Sequence, residues 1–352
     1  MSGLASSALD AGPVLITGAT GFIGSQFARY LAAQGHQVRA LHRPSSDLTP
    51  LAALDLELYE GDLLDPGSLA TAADGAVAIF HCGGLVAGWR RAGPLQRSHV
   101  DGTRNMLRTA WDKGVRRFIH VSSVAALGLP AQDDNRVEAG MREDHPWNGD
   151  GRSWPYAYAK HLAEVEVQWA VKAGLQAVTV CPSAVFGPGD IKRSRGGILA
   201  RMVDRRLPPI APAGGLNIVH LDDVLEGMLA AWRHGQTGRR YLLTGANLSH
   251  YDFLTTLATI VGRRPPGWRL PSAPLRALGG LAGALPDWLP VLARIPMLQL
   301  AGLHFYYDNR ASQRALNLSE PRPVEQALQA AYDWHLAAHA SPEDATKAAP
   351  SG

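Results

Sequence analysis

Residues 13–24, PVLITGATGFIG, constrain the fold more than any other stretch of the chain. A short apolar run ends at Thr17. Glycines follow at 18, 21 and 24, and helical spacing then carries FIGSQFARYLAAQG to a stop at Gly35. A strand that becomes a helix within so few residues needs glycine where backbone passes close to backbone or to a ligand. The opening turn of such a helix offers N–H groups and a positive dipole to an anion. The chain then repeats the theme. HQVRALHR, LELYEGDLLD, VAIFHCGG, VRRFIHVSS and LQAVTVCPS read as strands, and PGSLATAADG, HVDGTRNMLRTAWDKG and HLAEVEVQWAVKAG as helices between them. Alternation at this spacing makes a parallel sheet covered on both faces, wound by right-handed crossovers.

The expected fold class is therefore α/β, a Rossmann-type doubly wound parallel sheet with a smaller, interleaved C-terminal substrate-binding region. The boundaries read as 12–185 for the dinucleotide-binding part and 186–335 mainly for the substrate region, with a strand returning to the first sheet near 216–245. NIVHLDDVLEGMLAAWRHG starts a helix with Asp222 as its expected N-cap. Residues 186–215, rich in Gly, Pro and Arg, read as loop plus one helix rather than sheet, and 341–352 as a disordered tail. The 352 residues are 46% hydrophobic and 18% charged, enough for a large core. A net charge of +3 with scattered basic residues gives no footprint for nucleic acid. The N-terminus lacks the basic and apolar regions of a signal peptide. Prolines and charges interrupt the apolar stretch 275–307, so no transmembrane span is expected. Cys82 and Cys181 have no metal spacing, so no metal and no disulfide are expected, and the pair fits a reducing cytoplasm.

The glycine turn, placed after the first strand and opening the first helix, is the signature of a dinucleotide site. Gly18, Gly21 and Gly24, with Thr20, Phe22 and Ile23 of the same turn, are the expected pyrophosphate contacts. At the end of the second strand an acid would accept from a ribose 2′-hydroxyl. This chain has Arg43 there, with His42 and Arg39 before it, and no acid until Asp47. A guanidinium suits a 2′-phosphate, so NADP(H) is favoured over NAD(H). Asp62 ends the third strand, where its carboxylate can accept from an adenine amine. Cys82, Gly83 and Gly84 end the fourth and let a cofactor lie close, and Ser122 and Ser123 end the fifth. In YAYAK, Tyr156 and Lys160 share a helix face while Tyr158 points elsewhere. A phenol near pKa 10 works poorly at neutral pH unless a nearby ammonium favours its ionised form.

Taken together, TGATGFIG, GDLLD, VSS, YAYAK, CPSAVFGPGD and VHLDDV resemble the extended short-chain dehydrogenase/reductase family over residues 12–335. VRALHRPSSDL and the C-terminal YYDNRASQRALNL resemble its dihydroflavonol-reductase-like and 3β-hydroxysteroid-dehydrogenase-like members. The resemblance implies Tyr156 as general acid/base, Lys160 as its tuner and ribose ligand, and Ser123 as the group that orients the carbonyl. It also implies Asp62 and Leu63 at the adenine, Pro182 and Val185 at the nicotinamide, and Ser122 near the cofactor. Leu85, Val86, Trp89 and Ser183 are candidate substrate contacts, which makes the expected substrate a largely apolar ketone or secondary alcohol. A homodimer is a further expectation. Cys181 stands where the family has arginine, Phe186 where it has tyrosine, and His99 where it has asparagine. His99 reads as a hydrogen-bonding residue at a helix start. The alternatives are a nucleotide-sugar epimerase or dehydratase and a non-enzymatic NADP-binding protein. Val124 and Ala125, where a 4,6-dehydratase has Asp and Glu, argue against the first; the Arg-rich 192–206 argues for it. The Tyr156–Lys160 pair argues against the second.

Overall fold

The computed structural model describes residues 12–85, 92–130, 140–149, 151, 154–190, 210–271 and 302–339. The chain opens with β1 (Val14–Thr17), α1 (Phe22–Ala33), β2 (Val38–His42), β3 (Glu57–Glu60), α2 (Pro66–Ala73) and β4 (Ala78–His81). A helical stretch follows in three parts: α3 (Ala92–Gln96), a π-helical turn (Arg97–Asp101) and α4 (Gly102–Asp112). Then come β5 (Arg117–Val121), a 3-10 turn (Val124–Leu127), α5 (Pro155–Lys172), β6 (Ala177–Pro182) and β7 (Ala184–Phe186). Beyond these lie β8 (Ile210–Pro212), β9 (Gly215–His220), α6 (Leu221–His234), β10 (Arg240–Leu243), β11 (Ala246–Ser249), α7 (His250–Ile260) and β12 (Trp268–Leu270). The last elements are α8 (Arg310–Leu316) and α9 (Val324–His339).

Seven strands form one sheet in the order β3-β2-β1-β4-β5-β6-β10, and every pairing in it is parallel. The chain steps outward from β1 through β2 to β3, then returns to the other side of β1 with β4. Ligands of such sheets bind outside the strand carboxyl ends at this reversal. The strands nearest it are buried on both faces, which is why their sequences run apolar without alternation. Val14, Ile16, Phe80, Ile119, Val121, Val178 and Val180 pack on one face with Phe27 of α1 and Met228 and Trp232 of α6. Leu15, Ile79, Phe118 and Ala177 pack on the other with α2, α4 and α5.

A three-stranded sheet, β11-β9-β7, carries a second core with Phe253 and Leu257 of α7 and Leu328 of α9. Its central strand β9 begins at Gly215, at the end of a segment whose composition suggested loop and helix. Two-residue periodicity was invisible there because β9 is buried along most of its length. Asp222 is not the cap of α6 either. His220 precedes the helix in extended conformation and its Nδ1 accepts from the Asp222 N–H at 3.0 Å, which places Asp222 in the first turn. Asp222 and Asp223 there complement the helix dipole. Among the described residues no helix is long and apolar enough to cross a membrane. The arginine-rich 192–206, most of 275–307 and the tail 341–352 lie outside the described residues.

Candidate active site

The glycine turn is shaped by three different constraints. Gly18 has φ +65°, and a Cβ on it would stand 2.7 Å from the Gly83 backbone, so β1 and β4 approach too closely for a side chain. A Cβ on Gly24 would collide with the Gly18 carbonyl oxygen, which fixes how tightly α1 packs under the turn. Gly21 is crowded only by Gly18 O, at 3.1 Å, so the space above it is open to a ligand. Gly21 is also the N-cap of α1, and with no side chain it caps none of the first N–H groups of Phe22, Ile23 and Gly24. Elsewhere Asp65, Ser123, His220 and Ser249 fill the N-cap role. Uncapped donors, a helix dipole and a glycine floor fit the pyrophosphate of a dinucleotide.

The residues around this cradle divide into those with room for a cofactor and those bound to other parts of the protein. Arg43 follows β2 and is exposed, and its backbone N–H is held by Ser46 Oγ at 3.1 Å. No carboxylate pairs with its guanidinium among the described residues. Arg39 is held by Glu57 at 2.9 Å and lies over the Tyr59 ring, so it is not available as an alternative. Asp62 accepts from Leu64 N at 2.9 Å, and Leu63 O accepts from Asn105 Nδ2 at 2.9 Å, which braces the turn after β3. Gly83 N donates to Thr17 Oγ1 at 3.1 Å. Ser122 is buried and donates to Glu164 Oε1 at 2.5 Å, so its hydroxyl serves α5. The Val185 side chain belongs to the large core, and Pro182 ends β6 beside Leu243. Ser183 donates to Asn217 Oδ1 at 2.6 Å and is thereby part of an asparagine network that reaches Asn247 and the Tyr307 backbone. Val86 and Trp89 lie outside the described residues.

Helix α5 carries the chemistry. Pro155 at its first position starts the helix without losing a bond. Tyr156 and Lys160 follow one turn apart. Lys160 is buried, and its ammonium donates to Val121 O at 3.0 Å, at the end of β5. Burial lowers its pKa to about 8, with the Glu164 carboxylate acting in the opposite direction. The thiols of Cys82 and Cys181 are also pushed upward by burial and carry no charge at neutral pH. Ser123, two residues past Val121, accepts from Ala125 N at 3.2 Å, a bond that leaves its O–H donor unused. Tyr158 packs on Trp147 with ring centroids 5.9 Å apart and turns away from Lys160. The site also includes His99, which stands edge-to-face with Tyr156 at 5.7 Å. Behind Lys160 a polar row crosses the sheet in register: Thr17, His81, His120, Thr179 and Arg240. Thr17 and His81 were at readable strand ends, and the alignment of the row across the sheet depends on strand register. Among the described residues no group of three metal-ligating side chains assembles.

A doubly wound sheet with an open phosphate cradle at the first helix fits a dinucleotide-binding protein. Residues 14–243 match the model of the NAD dependent epimerase/dehydratase family, and the chain belongs to that family. A Synechocystis sp. protein provisionally named dihydroflavonol 4-reductase is 33% identical over 91% of this chain and 93% of its own length. A Stigmatella aurantiaca protein named 4-hydroxy-2-methyl-3-oxo-4-farnesyl-3,4-dihydroquinoline-1-oxide ketoreductase is 30% identical over 81% of this chain and 84% of its own. Among solved structures, gox2253 superposes with a TM-score of 0.80 at 31% identity, covering 93% of this chain and 98% of that one.

Proposed function

We propose that the chain is an NADP-dependent ketone reductase or alcohol dehydrogenase acting on a small, largely apolar substrate. The observation that carries this reading is the Tyr156–Lys160 turn of α5, with the buried Lys160 ammonium at the end of β5 beside Ser123. The bound nicotinamide supplies or accepts a hydride. Tyr156 gives a proton to the carbonyl oxygen in reduction and takes it back in oxidation. Lys160, when protonated, favours the phenolate and so brings the phenol nearer to working pH. Ser123 donates to the same oxygen and orients it. Gly18, Gly21 and the first N–H groups of α1 hold the pyrophosphate, with Asp62 and Leu63 at the adenine end.

The apolar substrate is supported by Trp154 and Phe305, half-buried rings that meet edge-on at 5.5 Å. Phe305 packs on a buried cluster of Val124, Leu127, Met141, Cys181, Leu242 and Tyr307 just past Ser123. Several relatives carry names of reductases, and the ketoreductase above acts by its name on a farnesylated quinoline. Arg43, exposed and without a carboxylate partner among the described residues, supports the NADP preference. Free Cys82 and Cys181 agree with a reducing cytoplasm. A groove of about 220 Å³ between α4 and α5, lined by Trp111 and Trp169 with Arg104, Arg108 and Glu166, supports a homodimer through those helices. It lies away from the chemistry, since Trp169 is thirteen residues, or about 20 Å, along α5 from Tyr156.

The test is NADPH consumption, followed by absorbance, with a panel of aryl ketones, dihydroflavonols and nucleotide sugars. Tyr156→Phe is expected to reduce turnover by about a hundredfold or more while leaving NADPH binding intact, and Tyr158→Phe to remain active. The reverse pattern rejects the assignment. Conversion of a nucleotide sugar without net NADPH consumption replaces this reading with an epimerase.

A further inference from the structure

We propose that His99 is a positioning residue that holds two parts of the site at once, the main chain of Leu85 and the ring of Tyr156. The inference rests on the reading of Tyr156 as the proton donor.

Three features converge on this side chain. The first is local backbone. The helix running from Ala92 to Asp112 is interrupted by a π-helical turn over Arg97–Asp101, with His99 at its centre. Such a turn widens the helix by one residue and re-aims the side chains it carries, an irregularity seen most often at functional sites. Here it turns His99 inward until only 2% of the residue is exposed.

The second is a two-point hold on one residue. Ser98 Oγ accepts from the Leu85 N–H at 3.0 Å, and His99 Nε2 stands 2.9 Å from the Leu85 carbonyl oxygen. A carbonyl needs a donor, so Nε2 carries the hydrogen. Burial, with the nearby Lys160 charge, lowers the His99 pKa to about 3, so the ring is neutral and this tautomer is its only form at working pH. Consecutive residues of one turn thus answer both polar groups of the Leu85 backbone. Gly84, just before it, lies flush against the ring, where a Cβ would collide with Cε1. Gly84 is exposed and Leu85 half-buried, as residues at the mouth of a site are.

The third is the ring itself. Its plane meets that of Tyr156 at 80°, with centroids 5.7 Å apart. An edge-to-face pair of this kind fixes ring orientation, and a proton donor must be held within a fraction of an ångström of its productive place. The N–H acts on the substrate wall and the ring acts on the acid. The two duties can therefore be separated by substitution.

His99→Phe keeps a ring and removes the donor. His99→Gln keeps an N–H near the position of Nε2 and removes the ring. Steady-state kinetics use whichever of acetophenone, propiophenone or benzoylacetone the wild type reduces fastest, beside NADPH titration and melting curves. His99→Phe is expected to raise KM roughly tenfold with kcat within about threefold, and His99→Gln to lower kcat roughly tenfold with KM little changed. NADPH affinity stays near wild type in both. A fall in kcat together with a rise in KM in both variants, or no effect in either, overturns the proposal. Tyr156→Phe in the same series separates the two readings, because a fully active Tyr156→Phe rejects the acid assignment and not the hold on Leu85. If the variants do not fold or no ketone turns over, the wild-type histidine tautomers read by nitrogen-15 NMR decide. An Nε2–H tautomer for His99 at pH 7 supports the hold on Leu85, and an Nδ1–H tautomer overturns it.

Discussion

Arg43 shows how much one residue can decide in such a site. A 2′-phosphate carries charge that a guanidinium can meet with paired hydrogen bonds, whereas a 2′-hydroxyl gains little from it. Arg39, the nearest competitor in sequence, is tied to Glu57 and to the carbonyls of Ala72 and Asp74. The proposed NADP preference therefore rests on Arg43 alone among the arginines of this strand end. Bonds to charged groups contribute about 1.5–3 kcal/mol, a preference of roughly ten- to a hundredfold. Fluorescence titration of both reduced cofactors checks this. Arg43→Ala is expected to lose NADPH affinity by that factor and keep most of its NADH affinity. Equal loss of both would reduce Arg43 to a surface charge.

At the scale of elements, the seven strands of the large sheet, the glycine turn and the Tyr156–Lys160 spacing were legible because each rests on near neighbours in sequence, whereas the short strands β7, β8, β9, β11 and β12 of the smaller sheets were not. What was not legible depends on pairing between distant segments. Glu164 is the clearest case. It lies one turn beyond Lys160 on α5 and is buried, and nothing nearby in sequence marks it as a partner. Arg240 reaches it from β10 at 2.5 Å, because the register of β10 on β6 sets Arg240 beside Thr179 on the α5 face. Ser122 and Cys181 add bonds to the same carboxylate. The π turn at His99 and the His220 cap were hidden for a similar reason: each is chosen by packing rather than by local preference. A buried pair of this kind punishes the loss of one partner more than the loss of both. Arg240→Met should destabilise by about 3–5 kcal/mol, and Arg240→Met with Glu164→Gln by distinctly less. Urea unfolding of the single and double variants measures the difference. A double variant as unstable as the single one would show that the pair is not the reason.

The whole molecule encloses three neutral histidines in one region, and this gives its stability a definite pH dependence. His81 lies between Thr17 and Thr103, with bonds of 2.8 and 3.0 Å, and burial lowers its pKa to about 3. His99 is lowered to about 3 for the same reason. His120 stacks on His81 at 5.6 Å, neither of its ring nitrogens has a hydrogen-bond partner among the described residues, and burial lowers it well below the ordinary value. The sign follows from proton uptake. Below about pH 6.5 the unfolded chain protonates these rings and the folded chain does not, so unfolding binds protons and stability falls as pH falls. Above pH 6.5 the three contribute no slope. Lys160, lowered to about 8, acts only in the alkaline range, where stability rises as pH increases from about 8 towards 10.5. Each histidine is worth about 1.4 kcal/mol per pH unit, so three give about 4 kcal/mol per unit between roughly pH 6 and 4. Domains of ordinary stability hold only 5–15 kcal/mol, so acid unfolding is expected within that window. Urea unfolding at several pH values from 6.5 downward gives the slope directly. His120→Leu keeps a side chain close to histidine in volume, removes two unpartnered polar atoms and should raise neutral stability by about 1–3 kcal/mol. It should also reduce the acid-side slope by about one proton. A wild-type slope of one proton or fewer would mean that these rings are reached by water or are charged in the folded protein.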